Sequence, residues 1–244
     1  MTPLPPGELS CRNIDFSKSM KHGADTGNVQ DMHLYAQHCL RQYSIKGDID
    51  SRKEAEYWLI KAAETDLYHA QLDLAMAYWF KFDQVRNSKE GDYLISQHIL
   101  SISEGKNHDE FDIKAVLSKI PARKDMTDYE KAFYWFLKTE DHGDCFASMC
   151  IGWFYETGAG GVEKDEDSAF SWYLKSAEEG YLPAQSIIGL WYSSGRLKKE
   201  IPDAETWYKN IEKHSPYSTT LPEPLKELYG EELERISRPA GDVA

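Results

Sequence analysis

The chain has 244 residues and carries 28 Lys plus Arg against 41 Asp plus Glu, a net charge of −13. A surface this acidic repels nucleic acid and anionic lipid and draws basic partners from a distance, so the first two are excluded as partners. No stretch reaches the ~18 apolar residues of a membrane span. Residues 1–26 hold Pro, Gly and polar residues without periodicity and read as an N-terminal tail or loosely docked arm. They show neither the basic start nor the apolar run of a secretory leader, so a cytoplasmic location is expected. From Asn28 to about Ile45, Leu34, Ala36, Leu40 and Tyr43 follow helical spacing and predict a half-repeat at the start of a longer array.

Residues 51–64 and 68–81 form the first clear predicted helix pair, and four tryptophans set its register along the chain: Trp58, Trp135, Trp172 and Trp207. Three residues before each stands Ala55, Ala132, Ala169 or Ala204. One residue after comes Leu59, Phe136, Tyr173 or Tyr208. The first three tryptophans are followed at fixed distances by an alanine (Ala70, Ala147, Ala184), a small residue (Ala75, Gly152, Gly189) and a tyrosine (Tyr78, Tyr155, Tyr192). A period in the mid-thirties belongs to helix–turn–helix solenoids, whose tetratricopeptide form repeats every ~34 residues. Small residues let such helices approach, and Trp and Tyr fill the space between neighbouring pairs. Residues 83–126 lack the anchors while keeping helical patterns, and read as a degenerate repeat. The array therefore spans 27–214. Residues 215–244, broken by Pro216, Pro222 and Pro224 and then periodic at Leu225, Leu228, Tyr229, Leu233 and Ile236, read as a C-terminal capping helix and tail.

The segment from Ala147 to Val162, then Asp165, Ala169–Gly180 and Ala184-Gln185, resembles the Sel-one-like repeat (SLR) family, relatives of tetratricopeptide repeats with a longer glycine-bearing loop between helices. The resemblance is strong over 125–214 and good over 51–82. It implies an all-α fold, a right-handed α-solenoid of stacked antiparallel helix pairs, and a protein-binding role as adaptor or scaffold. It also admits an immunity-type inhibitor of a basic toxin or effector.

On the helices bearing the tryptophan anchors, the stripe Ala55/Trp58/Ala62 and its counterparts is small or apolar and should be core. A second stripe is polar in every copy: Glu54/Tyr57/Lys61, Lys131/Tyr134/Lys138, Ser168/Ser171/Lys175 and Asp203/Thr206/Asn210. Taken as the first helices of their pairs, these would line the concave surface that solenoids use for binding. Tyr57, Lys61, Tyr134, Lys138, Ser171 and Lys175 are therefore the candidate contacts for a basic protein partner, with the free chain a monomer. Trp153 and Trp191, just after the repeat glycines, are candidate aromatic anchors for that partner or, on the blander reading, core fillers. The glycine run Gly158-Ala-Gly-Gly-Val162 lacks the strand and the Lys-Ser/Thr of a phosphate loop and reads as an inter-helix loop. Glu163–Asp167 reads as helix capping. The eight histidines and four cysteines (Cys11, Cys39, Cys145, Cys150) show no metal, disulfide or nucleophile signature, so no cofactor, metal or catalytic residue is assigned. A hydrolytic enzyme on the same scaffold remains the alternative of another class.

Overall fold

The computed structural model describes residues 17–82, 126–197, 200–213 and 221–237, and the region read as a degenerate repeat lies almost wholly outside them. Among the described residues there are helices and no strand. In chain order they are α1 (17–25), α2 (Val29–Lys46), α3 (Ile49–Ala63), α4 (Tyr68–Trp79), α5 (Asp128–Glu140), α6 (Cys145–Thr157), α7 (Glu166–Glu178), α8 (Leu182–Ser193), α9 (Ala204–Lys213) and α10 (Glu223–Ser237). They fall into two compact units, α1–α5 and α6–α10. None is long and apolar enough to cross a membrane.

Local chemistry explains where the helices begin. Asn28, Asp48, Asp144 and Asp165 each accept bonds from backbone N–H groups of the first turn, and Thr127 forms a reciprocal capping box with Glu130. The acidic run before α7 supplies the Asp165 cap and first-turn carboxylates at Glu166 and Asp167, which suit the positive end of the helix. Gly158 closes α6 in the left-handed region at φ 73°, and the Asp165 N–H donates to the Tyr155 carbonyl 2.9 Å away. The glycine run is thus the join between α6 and α7, as its place in the repeat predicts.

Helix pairing differs in phase from the sequence reading. The most extensive packing joins α2 to α3, α4 to α5, α6 to α7 and α8 to α9. The tryptophan-anchor helices α3, α5, α7 and α9 are therefore the second members of their pairs. The repeat glycines show why. A Cβ on Gly152 would lie 2.8 Å from the Tyr173 ring, and one on Gly189 would lie 2.8 Å from the Tyr208 backbone nitrogen. Each glycine lets a first helix sit against the residue that follows the anchor of its partner. The Ser176 hydroxyl, donating to the Cys145 carbonyl at 2.6 Å, ties α7 to α6 as well.

The two kinds of helix bury different amounts of themselves. Ala70–Trp79 of α4 and Cys145–Phe154 of α6 are buried at every position, mostly by apolar residues, with Gln71, Asp73 and Ser148 the polar ones among them. The second helices bury one face, which contains the small and apolar stripe. Of the stripe's twelve positions ten are buried, while Trp135 and Trp207 are only half-buried. The N-terminal tail also needs correcting over its last part: 17–25 is helical, with Met20 and Ala24 buried and Lys21 paired to Glu54 at 2.5 Å. Met20 and Ala24 are the apolar side chains of this short, otherwise polar segment, too few to reveal a helical period.

Candidate binding faces

In the first unit the polar stripe of α3 and α5 is open to solvent. Tyr57 is 53% exposed, Lys61 is exposed, and Tyr134 and Lys138 are half-buried. Lys61 places its ammonium 5.9 Å from the centre of the Tyr57 ring, so these two candidates form one cation–aromatic patch. Tyr134 stands edge-on to Trp135 at 5.1 Å. Behind this surface, the Tyr78 hydroxyl donates to Glu56 at 2.7 Å and Lys131 lies 4.7 Å over the Tyr78 ring, which holds α5 beside α3 and α4. In the second unit, Ser171 and Lys175 on α7 are half-buried, and Lys175 lies 5.4 Å over the Trp172 ring. No position of the polar stripe is buried in any of its four copies.

The expectation that this stripe lines a concave surface rested on taking the anchor helices as first in each pair. The observed pairing removes that premise, because the contacts across Gly152 and Gly189 make them second.

Trp153 and Trp191 are not surface anchors. They are 5% and 1% exposed, and each donates its indole N–H to α10: Trp153 to the Pro224 carbonyl at 3.1 Å, and Trp191 to the Tyr229 hydroxyl at 2.8 Å. They are also not repeat-equivalent, since Trp153 follows Gly152 directly and Trp191 stands two places after Gly189. What brings them to one function is the C-terminal helix.

Around Trp191 sits a polar cluster that the sequence reading missed. Glu156, on α6 and only 7% exposed, accepts from the Tyr173 hydroxyl at 2.9 Å and from the Tyr229 hydroxyl at 2.6 and 2.7 Å. Arg196 donates to Glu156 at 2.9 Å and to Glu166 at 2.8 Å, with its guanidinium 3.8 Å from the centre of the Trp191 ring. Burial works against the Arg196 charge, but its bonds to Glu166 and Glu156 outweigh that and raise its pKa. Burial, reinforced by Glu156, likewise holds the Tyr229 hydroxyl well above its usual range, so both tyrosines stay protonated donors. Glu156 and Tyr229 are 73 residues apart, beyond any local pattern. The one available signal was the row Leu225, Tyr229, Leu233, a tyrosine in the middle of an apolar stripe.

The first unit holds a smaller polar cluster. His33 of α2 and Asp73 of α4, both buried, meet at 2.8 Å, and Gln37 donates to the same Asp73 oxygen at 2.9 Å. Among the described residues no group of three or more His, Cys, Asp or Glu side chains could hold a metal ion. The thiols of Cys39 and Cys150 are poor nucleophiles. Burial lifts Cys39 to about 11 and Cys150 well above its usual range.

Comparison with known proteins follows this architecture. Similar solved structures include a Sel1 repeat protein from Oxalobacter formigenes, 24% identical, with 69% of this chain and 92% of that one covered and a TM-score of 0.39. Another is c5321, a protective antigen of uropathogenic Escherichia coli displaying an SLR fold, 22% identical, with 88% of this chain covered and a TM-score of 0.37. The match spans 44% of the c5321 chain. A search of curated proteins finds no match. The Sel1 repeat family model matches residues 32–65, 123–144 and 149–181, and two of these segments run from a first helix into the second helix paired with it, α2 into α3 and α6 into α7. With its anchor series and its helix pairs, the chain carries Sel1 repeats over residues 32–65, 123–144 and 149–181.

Proposed function

We propose that this chain is a protein-binding repeat module, an adaptor whose contact surface is the polar stripe of its second helices. One observation carries the reading: that stripe is unburied in all four copies, while the stripe beside it is core. Tyr57, Lys61, Tyr134 and Lys138 in the first unit, and Ser171 and Lys175 in the second, are its contact residues. Aromatic rings flanked by cations are economical binding groups, since they bring large area at low cost in side-chain freedom. The net charge of −13 favours the approach of a partner that is basic overall. The lysines of the stripe favour carboxylates or aromatic faces at the contact itself. An inhibitor that neutralises a basic toxin or effector would use the same charge, so charge does not separate it from an adaptor.

The test is capture of a stoichiometric partner by the tagged full chain from its native host, at low and high salt. With that partner in hand, Tyr57→Ala combined with Tyr134→Ala should weaken binding at least tenfold at unchanged thermal stability. Equal affinity would remove this stripe. Loss of the captured protein's own activity on binding would favour the inhibitor over the adaptor.

A further inference from the structure

The repeat tyrosine that ends each first helix has different surroundings in the two units. In the first, Tyr78 is 2% exposed, and the Lys131 ammonium lies 4.7 Å over its ring and 3.9 Å from the Glu56 carboxylate. A cation there sits between an aromatic face and an acid, and the chain supplies it from the start of α5. In the second unit the equivalent Tyr192, at the end of α8, is 43% exposed. Four residues before the anchor of α9, where α5 has Lys131, stands Asp203. The place of Glu56, two residues before an anchor, is taken on α7 by Phe170. Tyr192 thus has neither of the groups that meet Tyr78, and the sign of the charge beside it is reversed.

Tyr192 instead borders an open cavity of 490 Å³ between the end of α8 and the start of α9. Leu197, Ile201 and Pro202 give the cavity apolar walls, and Glu200 and Glu205 bring two carboxylates to it. Ligand sites of ~300–1,000 Å³ combine these same elements, an apolar lining with a few placed polar groups. Among the described residues the side chains of Tyr192 and Glu200 meet no hydrogen-bond or ionic partner. Glu205 is held by Lys209 one turn on, an exposed pair of the kind that contributes little. Lys198 and Lys199 of the same connection lie outside the described residues. The cavity therefore repeats the ring and carboxylates that surround Lys131, with no described cation among its walls.

We infer that this cavity is a receptor for a basic side chain of a partner protein. Arginine suits it best: the guanidinium stacks on the Tyr192 ring, and its planar edge meets Glu200 and Glu205. The aliphatic stem runs along Leu197, Ile201 and Pro202. The net charge of −13 draws basic partners from a distance, and this cavity gives one of their side chains a fixed place to settle. The inference rests on the protein-binding reading of the chain, but it adds a contact in the second unit on residues outside the polar stripe.

The test is an NMR titration of the full chain with Nα-acetyl-arginine methylamide, with the neutral norleucine analogue beside it. The arginine compound should shift the backbone resonances of Tyr192, Gly195, Leu197 and Glu200 saturably, and bind at least tenfold more tightly than the norleucine compound. Glu200→Gln combined with Glu205→Gln should weaken it at least fivefold at unchanged melting temperature, and Tyr192→Leu should do the same. Equal binding of the two compounds would overturn the proposal, as would unchanged affinity in the double variant or shifts spread over acidic residues at large without saturation. Lys198→Gln combined with Lys199→Gln separates two sources of the cation. Saturable binding by the unaltered chain as well as by this variant supports a partner's side chain. Binding that emerges only in the variant would show that the chain's own lysines fill the cavity and would overturn the assignment to a partner. A captured partner that is lost with Tyr57→Ala and Tyr134→Ala but indifferent to the glutamate variant would leave the module reading standing and remove this one.

Discussion

The two units solve one problem in different ways: how to tie the first helix of one pair to the first helix of the next. In the first unit the tie is direct, His33 and Gln37 of α2 meeting Asp73 of α4. In the second it passes through a third party, Tyr229 of α10, which donates to Glu156 of α6 and accepts from Trp191 of α8. Both ties bury a carboxylate and satisfy it, as buried polar groups require. The direct tie is closed within the repeats. The mediated one brings in α10, a helix that is not part of any of these pairs.

The sharpest way to break this contrast is Trp191→Ala. It removes a fully buried ring packed edge-on against Tyr173 and bonded to Tyr229, and truncation of a core aromatic costs about 3–5 kcal/mol. Urea unfolding should show that loss, together with faster exchange of α10. Asp73→Ala tests the direct tie, leaving buried His33 and half-buried Gln37 without this acceptor. Its expected cost is about 1–3 kcal/mol, with no change in α10 exchange.

The repeat position that is glycine in the second unit and alanine in the first gives a finer comparison. Gly189→Ala pushes a Cβ against the backbone of Tyr208, which cannot swing aside as a side-chain end can. Overpacking costs about 1–3 kcal/mol, more than the ~1 kcal/mol gained in helix propensity, so the variant should be less stable. Ala75→Gly, at the same position in the first unit, should lose about 1–2 kcal/mol, through helix propensity and the loss of a fully buried methyl group. A stabilised Gly189→Ala protein would refute the close-approach account of the repeat glycine.

The cysteines sharpen the comparison at no cost to stability. Cys39 reports on the first unit and Cys150 on the second, and burial raises both thiols far above neutral pH. Pulsed alkylation in rising urea, read by mass spectrometry, should find both inert in the native chain and reactive once their own unit opens. Labelling of the two at different urea concentrations would show that the units unfold separately, whereas coincident labelling would show one cooperative transition.

The buried stripe of the anchor helices was legible because helical period, residue size and polarity all repeat together. Ala55, Ala132, Ala169 and Ala204 are all fully buried where the pattern places them. The polar stripe beside it was legible for the same reason, and its accessibility follows from it. The roles of Trp153 and Trp191 were not legible. A tryptophan in an apolar helix reads alike whether it faces a partner or its own chain, and only the path of α10 decides between them. The phase of pairing was hidden too, because a periodic sequence has no marked beginning. The close approach at Gly152 and Gly189 chooses one neighbour over the other.

The sequence by itself determined the repeat helices, their buried faces and the kinship of the repeats, since these follow from local period and side-chain volume. Only the tertiary structure decided which helices pair, and that Glu156 meets Tyr229 across 73 residues of chain. Contacts of that range depend on where separate helices come to rest, and the short-range periodicity that shapes each helix does not encode it.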